Sequence, residues 1–173
     1  MLLGRYDLAE IKKLVAKATG GITPLIELVS TGDAERKALA ARVLSSMLAA
    51  HADNRKLIAQ AGGIHPLIEL VRTGDVQGKT GAAGALSNFA ADADHQKIIA
   101  QAGGISPLIE LVRTGSAEGQ ARAAAALYNL VFDEDNRKLI VQAGGIRPLT
   151  ELVCKGSSYG KTHAAGALGM LAA

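Results

Sequence analysis

The sequence predicts an all-α superhelical solenoid of about four three-helix repeats, forming one continuous domain over residues 1–173. Three observations predict it. First, a short signature returns in register as Gly20-Gly21-Ile22-Thr23-Pro24-Leu25, Gly62-Gly63-Ile64-His65-Pro66-Leu67, Gly103-Gly104-Ile105-Ser106-Pro107-Leu108 and Gly144-Gly145-Ile146-Arg147-Pro148-Leu149. Second, all four prolines fall on this one position, at 24, 66, 107 and 148, which sets periods of 42, 41 and 41 residues. Third, residues 59–75 and 100–116 are identical except at His65/Ser106 and Asp75/Ser116, while alternating β-branched runs that would signal strands are missing. A period in this range, punctuated by helix stops, is the mark of stacked helical repeats.

Each repeat divides into three segments, with boundaries at approximately 8–50, 51–92, 93–133 and 134–173. The first helix is short, as over residues 53–61, and Gly62-Gly63 stops it because glycine adopts positive φ without steric cost. Asp53 or Asn54 is placed to cap its N-terminus. The second helix is expected to start at Pro66, where a missing N–H costs nothing, with Glu69 in its first turn facing the positive end of the helix dipole. Leu67, Ile68, Leu70 and Val71 make it apolar on most sides, as a helix between two layers must be. Gly74 ends it, and Asp75 caps the third helix, as Asp33, Ser116 and Ser157 do in the other copies. That third helix is the longest, over about 34–50, 76–91, 117–132 and 158–172. Its apolar positions, such as Ala82, Ala83, Leu86, Phe89 and Ala90, recur at helical spacing.

Composition agrees with a packed chain and narrows the function classes. Apolar residues make up 49% of the sequence, far more than a disordered chain carries, yet aromatic residues are only 3% and Trp is absent. Ala, Leu, Ile and Gly therefore supply the packing. The net charge of +3 is dispersed, so no basic block points to nucleic acid. A single cysteine, Cys154, excludes an intrachain disulfide and fits a reducing compartment, intracellular and cytoplasmic, with a nuclear location compatible. Nothing approaches the ~20 apolar residues of a membrane span. Charge follows Met1-Leu2-Leu3 too soon for a signal peptide.

The "GGIxPLIELVxTG" run of each repeat, with the "GALSN" and "ALYN" segments of the third helices, resembles armadillo-repeat proteins over about residues 8–173. That group includes the importin-α adaptors, β-catenin and the vacuolar scaffold proteins. The resemblance implies a right-handed superhelix whose third helices line a concave groove for extended peptides. In the family a ladder of asparagines grips the peptide backbone, and a Trp four residues earlier often forms side-chain pockets. A carboxamide suits the first task because it offers both a donor and an acceptor.

Mapped here, the ladder position reads Ser46, Asn88, Asn129 and Met170, and the position four residues earlier reads Arg42, Gly84, Ala125 and Gly166. Seven residues before the ladder come Leu39, Gly81, Arg122 and His163. The groove is thus expected to be small-residued, without Trp, and cationic at Arg42, Arg122 and His163. Import adaptors bind basic peptides through acidic residues and Trp, and this groove offers neither. The expectation is a protein-binding scaffold, not an enzyme and without cofactor, that holds an extended or helical segment, an acidic one by the sign of the groove's charge. A purely structural module, either a piece of a longer solenoid or an engineered array, is the alternative. Interior glycines such as Gly78, Gly81, Gly84, Gly119, Gly160, Gly166 and Gly169 speak against a stability-optimised design.

Other features read more plainly. Gly78-Lys79-Thr80 and Gly160-Lys161-Thr162 imitate the end of a phosphate loop but sit at one shared repeat position inside third helices, two periods apart. His51, His65, His95 and His163 occupy different repeat positions without metal-ligand spacing, and Cys154 lacks a base beside it. Tyr128 is expected to pack on a neighbouring helix. Arg55-Lys56 and Arg137-Lys138 suggest a solvated convex face. The last helix keeps an internal copy's apolar pattern (Ala164, Ala165, Ala167, Leu168, Leu171), which suggests end-to-end self-association.

Overall fold

The computed structural model describes residues 21–173, so the helix expected over the first residues of repeat one lies outside the described residues. The described residues form helices α1 (Ile22–Thr31), α2 (Ala34–Ala50), α3 (Ala52–Gln60), α4 (Ile64–Thr73), α5 (Val76–Phe89), α6 (Ala93–Gln101), α7 (Ile105–Thr114), α8 (Ala117–Leu130), α9 (Glu134–Gln142), α10 (Ile146–Lys155) and α11 (Ser158–Leu171). The third helices α2, α5, α8 and α11 pack side by side in succession. Behind them the second helices α1, α4, α7 and α10 each pack on their own third helix and on the neighbouring second helix. The short first helices α3, α6 and α9 link one copy to the next. One core runs through the stack. Leu44, Leu86 and Leu127 of the third helices, Leu67, Leu108 and Leu149 of the second, and Ile58, Ile99 and Ile140 of the first are fully buried.

The glycine stops behave as expected. Gly62, Gly103 and Gly144 have φ of 80°, 76° and 77°, a region that side chains avoid. The next glycine's N–H then reaches back into the ending helix, as from Gly63 to the Ile58 carbonyl at 2.9 Å. Third-helix caps also stand where expected. Asp33 accepts from Arg36 N, Asp75 from Gly78 N at 2.7 Å, Ser116 from Gly119 N and Ser157 from Gly160 N, each of the last two at 3.2 Å. The phosphate-loop imitation at Gly78 and Gly160 is therefore the first turn of a capped helix.

Three local expectations are corrected. The first helix of repeat two is not capped by Asp53 or Asn54: its N-cap is His51, which makes no side-chain capping bond. Asp92 and Asp133 do cap the equivalent helices, while Asn54 turns back and donates to the Met47 carbonyl at 2.7 Å. Second helices begin at Ile64, Ile105 and Ile146, two residues before the proline. The proline still sits among the first donors, which have no intrahelical partner. Glu69 consequently lies beyond the first turn, and instead pairs with Arg72, as Glu110 does with Arg113 at 2.6 Å.

The basic pairs of the first helices are also split in role. Lys56 and Lys138 are exposed, but the arginines are half-buried and bind backbone. Arg55 Nη1 lies 3.4 Å from the Leu48 carbonyl and Arg137 Nη1 3.0 Å from the Val131 carbonyl. Gln96 makes the same bond to the Ala90 carbonyl at 2.9 Å in the copy between them. Orphan carbonyls at the third-helix C-terminus are satisfied this way, by residues of the following repeat.

Candidate functional site: the groove of the third helices

An open cleft of about 550 Å³ lies across α2, α5 and α8. Its lining residues all come from these third helices and their first turns, with Arg42, Ser46, Gly84, Asn88, Glu118 and Arg122 among them. A cleft shared by three consecutive helices of one layer makes that layer concave. Five of the eight residues expected at a binding site meet here: Arg42, Ser46, Gly84, Asn88 and Arg122. The other three, Ala125, Asn129 and His163, lie further along α8 and α11. Ala125 is only 2% exposed and presents little surface.

The asparagines are half-buried and already engaged on one side. Asn88 Nδ2 donates to the Ser45 carbonyl at 2.9 Å and lies 3.3 Å from Ser45 Oγ. Asn129 Nδ2 donates to the Ser87 carbonyl at 2.9 Å. Each carboxamide therefore ties its third helix to the preceding one, and its oxygen accepts no hydrogen bond from the described residues. At the equivalent position of α2, Ser46 bonds its own helix at the Arg42 carbonyl, 3.1 Å away. Met170 is partly buried against the core.

The charges differ in availability. Arg42 is exposed and has no carboxylate at ion-pair distance among the described residues. Arg122 lies 3.6 Å from Glu118 one turn earlier, in a solvent-exposed pair. His163 Nδ1 stands 2.9 Å from the Tyr159 carbonyl, which makes that nitrogen the donor.

A cluster of rings that sequence reasoning missed occupies the seam between α8 and α11. Tyr128 meets Phe132 edge-on at 5.4 Å and His163 edge-on at 5.7 Å. His163 lies 4.2 Å from the Tyr159 ring, and the Arg122 guanidinium stands over that ring at 5.8 Å. Phe132 and Tyr159 are 53% and 49% exposed. As expected, Tyr128 packs on a neighbouring helix. A Cβ at Gly166 would come within 2.7 Å of its ring, so glycine permits the ring to lie on α11. The sequence signal for Phe132 and Tyr159 was their departure from the repeat, where Ala91 and Glu118 stand one copy earlier. A second open cleft of about 300 Å³ adjoins Tyr159 and Arg122.

No group of three or more His, Cys, Asp or Glu side chains capable of holding a metal ion occurs among the described residues. Cys154 is exposed. No helix among the described residues is long and apolar enough to cross a membrane.

Stacked three-helix repeats with a concave layer of third helices define an α-solenoid with an open groove along its inner face. The Armadillo/beta-catenin-like repeat matches the sequence three times in tandem, over residues 51–91, 92–132 and 133–173, and the chain belongs to the armadillo-repeat family. Similar solved structures include an engineered protein that is 32% identical with a TM-score of 0.83, the match covering 96% of this chain and 67% of that one. A designed armadillo repeat protein is 24% identical with a TM-score of 0.83, covering 95% and 69%. Another, in complex with the peptide (KR)4, is 22% identical with a TM-score of 0.80, covering 95% and 69%. A comparison with curated proteins gave no match.

Proposed function

We propose that the chain is a protein-interaction scaffold, without catalysis of its own, that binds an extended acidic segment of a partner protein along the third-helix groove. The observation that carries the reading is the cleft across α2, α5 and α8. Its lining combines a carboxamide with a spare acceptor, at Asn88, with two arginines and a single carboxylate, Glu118. An extended chain needs partners for its backbone N–H groups, and Asn88 and Asn129 supply acceptors one helix apart. Third helices packed ~10 Å apart match about three residues of extended chain. Peptide recognition by the designed relatives supports a groove of this kind. The basic peptide (KR)4 bound by one of them has the charge that Arg42 and Arg122 would oppose. The exposed single thiol agrees with a reducing compartment inside the cell.

Binding of labelled Glu/Ser and Lys/Ser peptides, followed by fluorescence anisotropy, tests the reading. The acidic peptide should bind more tightly, and its affinity should fall as salt rises. Arg42→Glu should weaken it further. Preference for the basic peptide overturns the charge assignment, and no binding of either favours a purely structural module.

A second observation supports self-association at the C-terminal face. Ile146 is 46% exposed, while its counterparts Ile64 and Ile105 are 5% exposed beneath the following repeat. Ala165, matching fully buried Ala83 and Ala124, is exposed as well. Where no further repeat follows Ala173, we propose that a second copy covers this face. A concentration-independent monomer mass in light scattering overturns that reading, and Ile146→Glu should abolish any dimer.

A further inference from the structure

We propose that the ring cluster at the α8–α11 seam is a seat for an aromatic side chain of the acidic segment, so that the groove reads a two-part motif. The inference rests on the groove reading above and adds the identity of an anchor residue. The chain is sparing with aromatic residues, at 3% of the sequence. Of the Phe and Tyr side chains among the described residues, Phe89 is fully buried in the core, while Tyr128, Phe132 and Tyr159 gather at this one seam. Two of these three rings are about half exposed, although burying them would be favourable. They stand outside the helix position at which armadillo proteins carry Trp, which here reads Arg42, Gly84, Ala125 and Gly166.

The chemistry selects the occupant. The rings meet one another edge-on or tilted, so faces and edges remain open to a further ring in the geometries that aromatic pairs prefer. A lysine or arginine of the partner is disfavoured, because Arg122 already stands over Tyr159 at 5.8 Å. The same guanidinium, whose solvent-exposed pairing with Glu118 at 3.6 Å a partner carboxylate would replace, would meet a carboxylate flanking the incoming ring. The adjoining cleft of about 300 Å³, bounded by Ala117, Glu118, Ala121, Arg122, Ser157 and, of the cluster's rings, Tyr159, gives that ring room. Arg42 lies on α2, two to three helix spacings away, or ~20–25 Å. At ~3.3 Å per residue, an acidic group facing Arg42 stands about seven residues from the aromatic one.

The absence of Trp from the chain provides a clean readout. The probe is a peptide of about 12 residues rich in Ser and Gly, with an Asp-Glu pair placed about seven residues from a single Trp. It is made in both chain directions, and each form has a counterpart with Ala for Trp. In one direction, the Trp emission should shift to the blue on adding the protein, and the Trp peptide should bind about tenfold more tightly than its Ala counterpart. Phe132→Ser with Tyr159→Ser should erase that advantage, so that the Trp and Ala peptides bind the variant equally. Tyr159→Phe, which keeps the ring, should retain it. Equal affinity for the Trp and Ala peptides overturns the aromatic seat while sparing the groove. An advantage that survives the double variant also overturns it. If neither peptide binds in either direction, the groove reading falls and the seat falls with it.

Discussion

Replacing the two groove asparagines separates their structural role from any role in binding. Each donates Nδ2–H to a carbonyl of the preceding third helix at 2.9 Å, from Asn88 to Ser45 and from Asn129 to Ser87. A neutral, partly buried bond of this kind contributes about 1 kcal/mol net. The two bonds share no partner and join different helix pairs, so their losses should add. Asn88→Ala with Asn129→Ala should therefore cost about 2 kcal/mol, and a chain of this size then melts about 4–8 °C lower. Aspartate makes the test signed. In Asn129→Asp a carboxylate oxygen would face the Ser87 carbonyl, two acceptors without a proton, so this change should destabilise more than alanine does. In Asn88→Asp the Ser45 hydroxyl, 3.3 Å from Nδ2, can turn and donate to the carboxylate. The Asp variant at 88 should thus be milder than the one at 129. Thermal unfolding followed by far-UV circular dichroism measures these three variants, with Asn88→Ala and Asn129→Ala made singly for comparison. A double alanine variant melting within about one degree of the parent, or an Asp variant at 129 as stable as alanine, would refute the assignment of these side chains as ties between repeats. Loss of peptide affinity in the same variants, measured well below their melting temperatures, would show that the free carboxamide oxygens also grip a ligand.

Other substitutions have equally definite outcomes. Gly166→Ala places a Cβ 2.7 Å from the Tyr128 ring, so the ring must move and urea unfolding should show a loss of about 1 kcal/mol. Gly169→Ala, three residues on in the same helix with nothing within 4 Å, should instead gain about 0.5–1 kcal/mol. His51→Asp gives α3 the cap that Asp92 and Asp133 give its counterparts, and should add about 0.5–1 kcal/mol by the same measurement. The Glu134 carboxyl titrates below its ordinary value of 4.5, first because Lys138 donates a hydrogen bond to it and then through that ammonium's charge. Lys138→Met should move the titration back upward in an NMR pH series, and an unchanged midpoint would exclude the pair. Because the folded-state value is depressed, the pair's stabilising effect is fully present above the ordinary value and is lost as pH falls from there through the lower folded-state value.

The repeat period, the helix stops and the third-helix caps were legible in the sequence because they are local. A positive-φ glycine at 62, 103 or 144 and an Asp or Ser three residues before the amide it caps act within one turn, whatever packs around them. That the third helices form the inner layer was implied by the resemblance to armadillo-repeat proteins rather than by periodicity, and the structure brings five residues placed on that basis, Arg42, Ser46, Gly84, Asn88 and Arg122, to one cleft. What the tertiary structure decided involves contacts about one repeat apart. Asn88 reaches Ser45 across 43 residues, and Asn129 reaches Ser87 across 42. The asparagine type announces a donor and an acceptor, but only the stagger of adjacent helices determines that a donor is used inside the fold while the oxygen stays free. Tyr128, Phe132, Tyr159 and His163 belong to separate turns of two repeats and occupy no shared repeat position. They become one cluster because Gly166 lets α11 approach the Tyr128 ring. Periodicity describes what the copies have in common, whereas side-chain packing between copies depends on where they differ.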